Sequence, residues 1–279
     1  MDYGKVAFIG GGNMARALAG GMLVAGYEPS HILISDPLAQ NRDRLANEFP
    51  GTIIRADNLD VVKQAECLVL AVKPQILSTV CKPLRDAVQI TRPLIISIAA
   101  GVRSGDIDTW LGGGLSVVRV MPNQPALLRL GISGMYANEQ TSEEERRAAS
   151  CIISTTGPVI SVSTENDIDT VTAVSGSGPA YFYLLVDMLV TVAKDMGLDS
   201  KSALALVLET ARGASEMAEQ SGETMDTLIA RVRSPGGTTA AAFDYLDNTN
   251  FRDTFTAAVT AARDRAKDLA DQAHEDAKD

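Results

Sequence analysis

Residues 5–15 read Lys-Val-Ala-Phe-Ile-Gly-Gly-Gly-Asn-Met-Ala, and they are the strongest indication of the fold. A short apolar run, a glycine-rich turn and a helix start follow one another in the G-x-G-x-x-A form. Gly10 permits a tight turn, Gly12 lets the backbone approach a pyrophosphate, and the small Ala15 lets the helix pack on the strand. Unpaired amides at the helix N-terminus then receive the anion. The stretch therefore predicts a strand, turn and helix that bind a dinucleotide.

The alternation of strand-like and helix-like segments continues along the first half of the chain. Short apolar runs alternate with amphipathic segments up to about residue 162. Runs that are apolar on both faces are typical of strands covered by helices on both sides of a parallel sheet. We therefore expect an α/β fold whose N-terminal part, residues 1–162, is a doubly wound parallel sheet of the Rossmann type. The predicted strands are Val6 to Ile9, Ile32 to Ser35, Cys67 to Val72, Leu94 to Ile98 and Ser116 to Val120.

The second half of the chain, residues 163–279, has a different pattern. The strand signal disappears, and segments rich in Ala, Leu and Met have helical spacing. These segments run from Pro179 to Met196, from Ser200 to Gln220 and from Asn250 to the end. We expect an all-α domain in which the last stretch, rich in charged residues, is a solvated helix face.

Composition excludes several classes of partner. The chain is 46% hydrophobic and 22% charged, as in ordered globular proteins. Its formal net charge of −10 opposes binding to nucleic acid and to anionic membrane surfaces. The first residues lack the basic stretch and long apolar core of a secretory signal, which favours the cytoplasm. The apolar segment Tyr181 to Ala193 contains Asp187 and is shorter than the roughly 20 residues that cross a bilayer, so we interpret it as a buried helix.

Cysteine and histidine carry no predicted chemistry. Cys67, Cys81 and Cys151 are odd in number and share no metal-ligand spacing, so neither a disulfide framework nor a metal site is expected. We interpret them as reduced packing residues. The two histidines, His31 and His274, lie outside every motif and are expected to be exposed or capping side chains.

The second predicted strand ends in Ile34-Ser35-Asp36, where a Rossmann domain reads the adenosine ribose. Asp36 can accept hydrogen bonds from the ribose hydroxyls and would repel a 2′-phosphate, which favours NAD. Arg42 and Arg44 follow within two helical turns and are interpreted either as surface charges or as partners of a 2′-phosphate. The predicted cofactor is NADP(H) or NAD(H), and the preference stays open.

Further loops carry polar residues where an open α/β sheet binds ligands, at the carboxyl ends of strands. They are Ala71 to Gln75 (Ala-Val-Lys-Pro-Gln) and Met121 to Ala126 (Met-Pro-Asn-Gln-Pro-Ala). Taken singly, Lys73 is equally an ordinary strand-end lysine and Asn123 an ordinary turn former. Two Gly-rich runs, Ser175 to Pro179 and Ser234 to Thr239, each precede a helical pattern and are predicted helix-entry loops.

Five motifs together resemble the pyrroline-5-carboxylate reductase family. They are the two strand-end loops, Ser-Ile-Ala-Ala-Gly-Val at 97–102, Val-Ser-Gly-Ser-Gly-Pro-Ala-Tyr at 174–181 and Ser-Pro-Gly-Gly-Thr-Thr at 234–239. The resemblance covers nearly the whole chain. The last motif is that family's signature and is absent from most Rossmann dehydrogenases, which makes the resemblance specific.

The resemblance implies an activity and an assembly. The expected reaction is reduction of L-1-pyrroline-5-carboxylate to L-proline by hydride transfer from NAD(P)H, the last step of proline biosynthesis. The helical domain, residues 163–279, is then a dimerisation domain, and the homodimers associate into rings up to a decamer. The substrate loop is expected to act across the dimer interface.

The residues also receive expected roles. Together, the fingerprint, the second strand end and the family pattern assign cofactor binding to Ile9, Gly10, Gly11, Gly12, Asn13, Met14, Ser35, Asp36, Asn58, Ala71, Val72, Lys73, Pro74 and Asn123. The resemblance assigns substrate binding to Ser175, Gly176, Ser234, Pro235, Gly236, Gly237, Thr238 and Thr239. Thr239 matches the family's substrate-contacting threonine and is the expected catalytic residue, although Thr238 beside it is the alternative.

Elementary chemistry agrees with that placement. A Gly-Gly turn at a helix N-terminus offers unpaired amides to a substrate carboxylate. A threonine hydroxyl beside it can hydrogen-bond the ring nitrogen, so hydride transfer becomes chiefly a positioning problem. An imine that binds already protonated needs no dedicated general acid.

Some positions depart from the family pattern, and rival functions remain. Arg233 stands where a small residue is usual, Ile229 replaces a frequent lysine, and Gln124 replaces a commoner threonine. One rival is another Rossmann imine or hydroxyacid reductase; hydroxyacid enzymes carry a lysine on the long interdomain helix, and Tyr181 to Ala193 has none. The other is a non-catalytic dinucleotide sensor, which would not need the Ser234 to Thr239 loop.

Overall fold

The computed structural model describes residues 4–275, which form one sheet and a series of helices. The sheet has eight strands, and four of them, the first, second, fourth and fifth along the chain, are buried at every residue. Their bounds are β1 (Val6–Ile9), β2 (Ile32–Ser35), β3 (Ile53–Arg55), β4 (Cys67–Leu70), β5 (Leu94–Ser97), β6 (Val117–Met121), β7 (Ser133–Ala137) and β8 (Val159–Ser161).

The strand order places a ligand crevice next to β1. The order across the sheet is β3-β2-β1-β4-β5-β6-β7-β8, and every neighbouring pair is parallel except β6 with β7. In the centre, Val6 lies opposite Ile32 of β2 on one side and Cys67 of β4 on the other. From β1 the chain adds β2 and β3 on one side of the sheet and then β4, β5 and β6 on the other, so the strand order reverses between β1 and β4. An open α/β sheet binds ligands beyond the carboxyl ends of the strands at such a point.

Helices cover both faces of the sheet. Because side chains alternate along a strand, Phe8 and Val69 pack into one core with Leu18, whereas Ala7 and Leu68 pack into a second core on the opposite face. The helices of this part are α1 (Asn13–Val24), α2 (Ala39–Glu48), α3 (Asn58–Val62), α4 (Pro74–Cys81), α5 (Arg85–Thr91), α6 (Ser104–Trp110), α7 (Glu143–Ser154) and α8 (Asp167–Val171).

The rest of the described chain is helical. Its helices are α9 (Gly178–Asp195), α10 (Ser200–Gln220), α11 (Met225–Val232), α12 (Thr238–Asn248) and α13 (Phe251–Glu275). By contacts the described chain divides into two units, one containing the sheet together with residues 262–275, and the other running from Gly178 to Ala261. In the helical unit the Tyr181 and Phe255 rings meet edge to face with centroids 5.7 Å apart.

The expected fold class, a doubly wound parallel sheet followed by helices, is confirmed. Three strands, β3, β7 and β8, extend the predicted sheet, and β7 and β8 run against the other six. The predicted helix from Asn250 corresponds to α13, but the end of that prediction, residues 276–279, lies outside the described residues. Ala266 and Ala270 of α13 are buried, so this helix is not solvated on every face.

The interpretation of Tyr181 to Ala193 as a buried helix is wrong for the single chain. Most of its large apolar side chains are exposed, and Phe182 keeps 66% of its surface accessible. The helical stretch Asp167–Asp195 is long and apolar enough to span a membrane by length and composition alone. The prediction rested on apolarity. Apolarity does not distinguish a helix that is buried within one chain from a helix whose apolar side chains are covered by a partner.

Candidate functional site

The glycine turn after β1 is held against two neighbouring strands. The Gly10 amide donates to the Ser35 carbonyl oxygen at 2.8 Å, and Gly10 has a φ of +97°. A Cβ at Gly10 would lie 2.8 Å from the Ala71 carbonyl oxygen. Only glycine therefore fits at this position, because both the backbone conformation and the space exclude a side chain.

Helix α1 begins immediately beyond this turn and has an open N-terminus. Gly12 is the N-cap, and it has no side chain that can accept from the first amides of the helix. A Cβ at Gly12 would have no heavy atom within 4 Å, so the space in front of it is free. Unpaired amides, the positive end of the helix dipole and open space together fit a pyrophosphate.

A cavity of about 680 Å³ opens at this place. Nine of the predicted cofactor residues line it: Ile9, Gly10, Gly11, Gly12, Asp36, Asn58, Ala71, Val72 and Lys73. The predicted residues Asn13, Met14, Ser35, Pro74 and Asn123 are not among its lining residues. The lining also contains residues that the sequence analysis missed, namely Pro37, Leu38, Asn41, Ala56, Asp57, Ile76 and Val80.

Asp36, directly after β2, is 5% exposed and is held by four hydrogen bonds. One carboxylate oxygen accepts from the Gly11 amide at 3.0 Å, and the other accepts from the Leu38 amide at 2.9 Å. The Asn41 side-chain amide donates to both oxygens at 3.1 Å. The carboxylate therefore has a fixed position beside the glycine turn.

Asn58 is the first residue of α3, and Ser35 at the end of β2 fixes its side chain. The Ser35 hydroxyl donates to Asn58 Oδ1 at 2.7 Å. Since Oδ1 is engaged, the amide group of Asn58 is oriented and its nitrogen can donate elsewhere. Ser35 thus acts on the cavity through Asn58 rather than by lining it.

The two remaining strand-end residues occupy different surroundings. Lys73 is exposed, precedes α4 and contributes the lysine that lines the cavity. Asn123 is 9% exposed, and its side-chain oxygen accepts from the Ile132 amide at 3.0 Å. Asn123 therefore braces the segment that follows β6, as its interpretation as a turn former predicts.

The run from Ser175 to Pro179 is not an irregular entry loop, which corrects the prediction. Thr172–Gly176 form a π-helical turn directly after α8, and α9 begins at Gly178. The Ser175 hydroxyl donates to the Val171 carbonyl oxygen at 3.0 Å. A Cβ at Gly176 would lie 2.5 Å from the Met121 side chain, so glycine permits close packing on the end of β6. Single π-turns inside helices are frequent at functional sites.

In the helical unit, residues 234–237 form a tight turn that leads into α12. The Gly237 amide donates to the Ser234 carbonyl oxygen at 3.0 Å, and Gly236 has a φ of +70°. Gly237 is the N-cap of α12 and has no side chain to occupy the first amides. The predicted helix entry is confirmed, and its amides are available to an anion. Thr239 is half-buried, whereas Thr238 is exposed.

Arg233, which departs from the family pattern, is turned toward α12. It pairs with Asp244 at 2.6 Å and Asp247 at 3.6 Å, and its guanidinium lies 5.2 Å from the centre of the Phe243 ring. These contacts tie the residue before the turn to the helix after it. The arginine therefore orders the Ser234 to Gly237 turn from outside.

A buried ionic cluster in the sheet unit went unpredicted. Arg119 on β6 is 2% exposed and pairs with Glu165 at 2.9 Å, while Arg103 pairs with Asp169 at 3.0 Å. Glu165 also accepts from the Ser104 amide at 2.6 Å. Burial lowers the pKa of Arg119, and the carboxylate of Glu165 opposes that shift. The cluster joins β6 to the segment that carries α8.

The cysteines have the surroundings of packing residues. Burial raises the pKa of Cys81 to about 12 and raises that of Cys67 as well, so both thiols are protonated near neutral pH. Cys67 and Cys81 are buried, Cys151 is partly buried, and all three are free in the structure. His274 makes a 2.5 Å contact with Asp106 in the sheet unit and lies apart from the cavity.

Comparison with known proteins identifies relatives along the full chain. A family described as pyrroline-5-carboxylate reductase dimerisation matches residues 165–269, and one described as NADP oxidoreductase, coenzyme F420-dependent, matches residues 5–101. The pyrroline-5-carboxylate reductase of Pseudomonas aeruginosa is 42% identical, with 98% of this chain and 99% of the relative covered.

Solved structures agree with this relationship. A pyrroline-5-carboxylate reductase from Coxiella burnetii is 38% identical with a TM-score of 0.90, covering 96% of this chain and 99% of its own. The Plasmodium falciparum pyrroline carboxylate reductase, solved with NADP bound, is 29% identical with a TM-score of 0.87, covering 97% and 99%. Both share the sheet and the helices that follow it.

Proposed function

The chain belongs to the pyrroline-5-carboxylate reductase family, and from this premise we propose that it reduces L-1-pyrroline-5-carboxylate to L-proline with NAD(P)H, the last step of proline biosynthesis. The observation that carries the proposal is the uncapped start of α12 after the Ser234 to Gly237 turn. A dinucleotide cavity alone is common to many dehydrogenases. A second anion site followed by two threonines suits a small substrate with a carboxylate beside a ring nitrogen.

The substrate side rests on the first turn of α12. The amides that follow Gly237 hold the substrate carboxylate, and the positive end of the helix dipole supplies the charge that an arginine would otherwise provide. The Thr239 hydroxyl hydrogen-bonds the ring nitrogen and so fixes which face of the imine is presented. We assign substrate binding to Ser175, Gly176 and the whole segment Ser234 to Thr239, with Thr239 as the catalytic residue.

The cofactor side rests on the turn after β1. The α1 amides hold the pyrophosphate, Asp36 and Asn58 contact the adenosine portion, and Ala71 to Pro74, with Asn123, border the rest of the dinucleotide. When bound, NAD(P)H would supply a hydride to the imine carbon, C2, which is doubly bonded to the ring nitrogen and becomes C5 of proline. The imine nitrogen binds already protonated, so the chain needs no general acid, and its residues contribute orientation.

The proposed self-association depends on the helical part of the chain. The dimerisation match indicates self-association. We propose that residues 163–279 form the dimerisation and substrate-loop domain, that residues 1–162 form the cofactor domain, and that the homodimers assemble further into a decamer. The small-molecule substrate and the negative net charge of −10 favour a cytoplasmic enzyme without nucleic-acid or membrane partners.

The test is steady-state oxidation of NADPH and NADH with racemic pyrroline-5-carboxylate as substrate. We expect proline formation by the unmodified chain and a fall of about 100-fold in kcat for Thr239→Ala, because the ring nitrogen loses its orienting hydrogen bond. Thr238→Ala tests the alternative threonine: its side chain is exposed and the substitution keeps the backbone amides, so kcat should stay within a few-fold, and a fall as large as that of Thr239→Ala would move the catalytic role to Thr238. Absence of turnover with either coenzyme, in folded protein that binds dinucleotide, would overturn the reductase and favour a sensor.

A further inference from the structure

We propose that this chain selects the dinucleotide without a 2′-phosphate, NAD(H), and that Asp36, fixed by its neighbours, is the residue that sets this preference. The inference deepens the proposed function, since it rests on the cavity taking a nicotinamide dinucleotide. It concerns binding, and it holds or fails independently of which imine is reduced.

Two carboxylates lie at the adenosine end of the cavity. Asp36 and Asp57 line that end, and the cation that lines the cavity, Lys73, belongs to the loop after β4. A 2′-phosphate carries nearly two negative charges and requires cationic partners. Placed beside a fixed carboxylate it is repelled, whereas a ribose with free hydroxyls can donate to that carboxylate.

Backbone donors fix the orientation of the Asp36 side chain. The Gly11 and Leu38 amides each hold one of its oxygens, and both donors belong to the backbone. A Cβ at Gly11 would lie 2.5 Å from the Leu45 side chain, so the turn and α2 are closely packed around the carboxylate. Rotation of Asp36 to admit a phosphate would leave a backbone donor unpaired in a buried place.

The Asn41 side chain donates to both oxygens of Asp36 at 3.1 Å. With these bonds the carboxylate accepts four hydrogen bonds, which is about its full capacity. The hydrogen bonds from Asn41 are the ones that a ligand can replace, because they come from a side chain that lines the cavity. We infer that ribose hydroxyls take the place of Asn41 when NAD(H) binds.

Arg42, the alternative partner of a 2′-phosphate, is engaged by backbone carbonyl groups. The Arg42 guanidinium donates to the carbonyl oxygens of Asp36 at 3.0 Å and of Pro37 at 2.8 Å. It therefore holds the backbone that positions Asp36. Arg44 is not among the residues that line the cavity.

The experiment measures binding without substrate, by the fluorescence of NADH and of NADPH titrated with the purified chain. We expect NADH to bind about tenfold more tightly or better, because the 2′-phosphate meets a fixed carboxylate. Asp36→Ser should reduce or reverse this ratio, chiefly by tightening NADPH. Asp36→Asn keeps the size of the side chain and should shift the ratio in the same direction. It provides the test if the serine variant does not fold.

The matched control is Asp60→Asn, which removes a negative charge from an exposed residue of α3 that does not line the cavity. Its NADH to NADPH ratio should equal that of the unmodified chain. The proposal is overturned by equal or tighter binding of NADPH to the unmodified chain, by a ratio unchanged in both Asp36 variants, or by a failure of both dinucleotides to bind. A retained NADH preference without imine turnover would instead contradict the reductase alone.

Discussion

At the scale of single residues, Gly10 and Gly12 belong to the same turn but are constrained by different things. Gly10 has a left-handed backbone, and a Cβ there would press on the Ala71 carbonyl. Gly12 has free space around it. The fold therefore requires glycine at position 10, whereas at position 12 it is the ligand that requires the space.

This difference predicts opposite phenotypes for two alanine substitutions. Gly10→Ala should lower the free energy of unfolding by roughly 1–3 kcal/mol, because alanine is strained at this φ and clashes with backbone. Gly12→Ala should leave the free energy of unfolding within about 0.5 kcal/mol of the unmodified chain but weaken dinucleotide binding. Chemical denaturation and a cofactor titration measure the two effects. A Gly12→Ala variant that binds dinucleotide normally would show that the pyrophosphate does not lie over this turn.

The residues that the sequence could predict are those with a local signature. The glycine spacing and the acid after the second strand are read along the chain, and both line the cavity as expected. Asn41 and the partners of Arg233 could not be predicted, because they depend on how α2 and α12 present their side chains to other segments. No spacing rule in one sequence contains that information.

At the scale of elements, the buried pair of Arg119 and Glu165 connects β6 to the start of α8. Arg119 is fully enclosed, so its charge depends on the carboxylate for compensation. The segment it anchors continues into the π-turn with Ser175 and Gly176. The pair thus links the stability of β6 to the position of two proposed substrate residues.

We expect Glu165→Ala to lower the free energy of unfolding by about 3 kcal/mol, since it leaves a buried guanidinium without its partner. The Ser104 amide also loses its acceptor. Denaturant unfolding of the single variants and of the double variant Glu165→Ala with Arg119→Met measures the coupling. The double variant should regain part of the loss, because the uncompensated charge is gone. A single-variant loss below about 0.5 kcal/mol would mean that solvent or Asp169 already neutralises Arg119.

The elements that the sequence missed share a physical cause. β3 and β8 are three residues long and partly exposed, and β7 contains serine and glycine, so none produces a sustained apolar run. Their pairing is decided by neighbours: Leu33 brings Ile53 into register, and Met135 pairs with Ser161. Strands of this kind are specified by the sheet they join more than by their own pattern.

At the scale of the whole molecule, the exposed apolar side chains of α9 require an explanation. Phe182, Leu184 and Leu189 are each more than half exposed, in a helix where soluble monomers normally bury such residues. A membrane and a second copy are the two environments that would cover them. Asp187 and Lys194 lie within this helix and are costly in a bilayer core, which favours a second copy.

We therefore expect light scattering without detergent to give a mass of at least twice the 29.5 kDa of the chain. Leu189→Glu, at a position 56% exposed in the single chain, should shift the protein toward the chain mass, because a dimer would bury an unpaired carboxylate there. Ile90→Glu is the matched control, since Ile90 is 83% exposed on α5 in the sheet unit, and it should leave the assembly intact. An unmodified chain that runs as a monomer but sediments with lipid vesicles would assign the α9 surface to a membrane. Dissociation by the control alone would place the interface on the sheet unit.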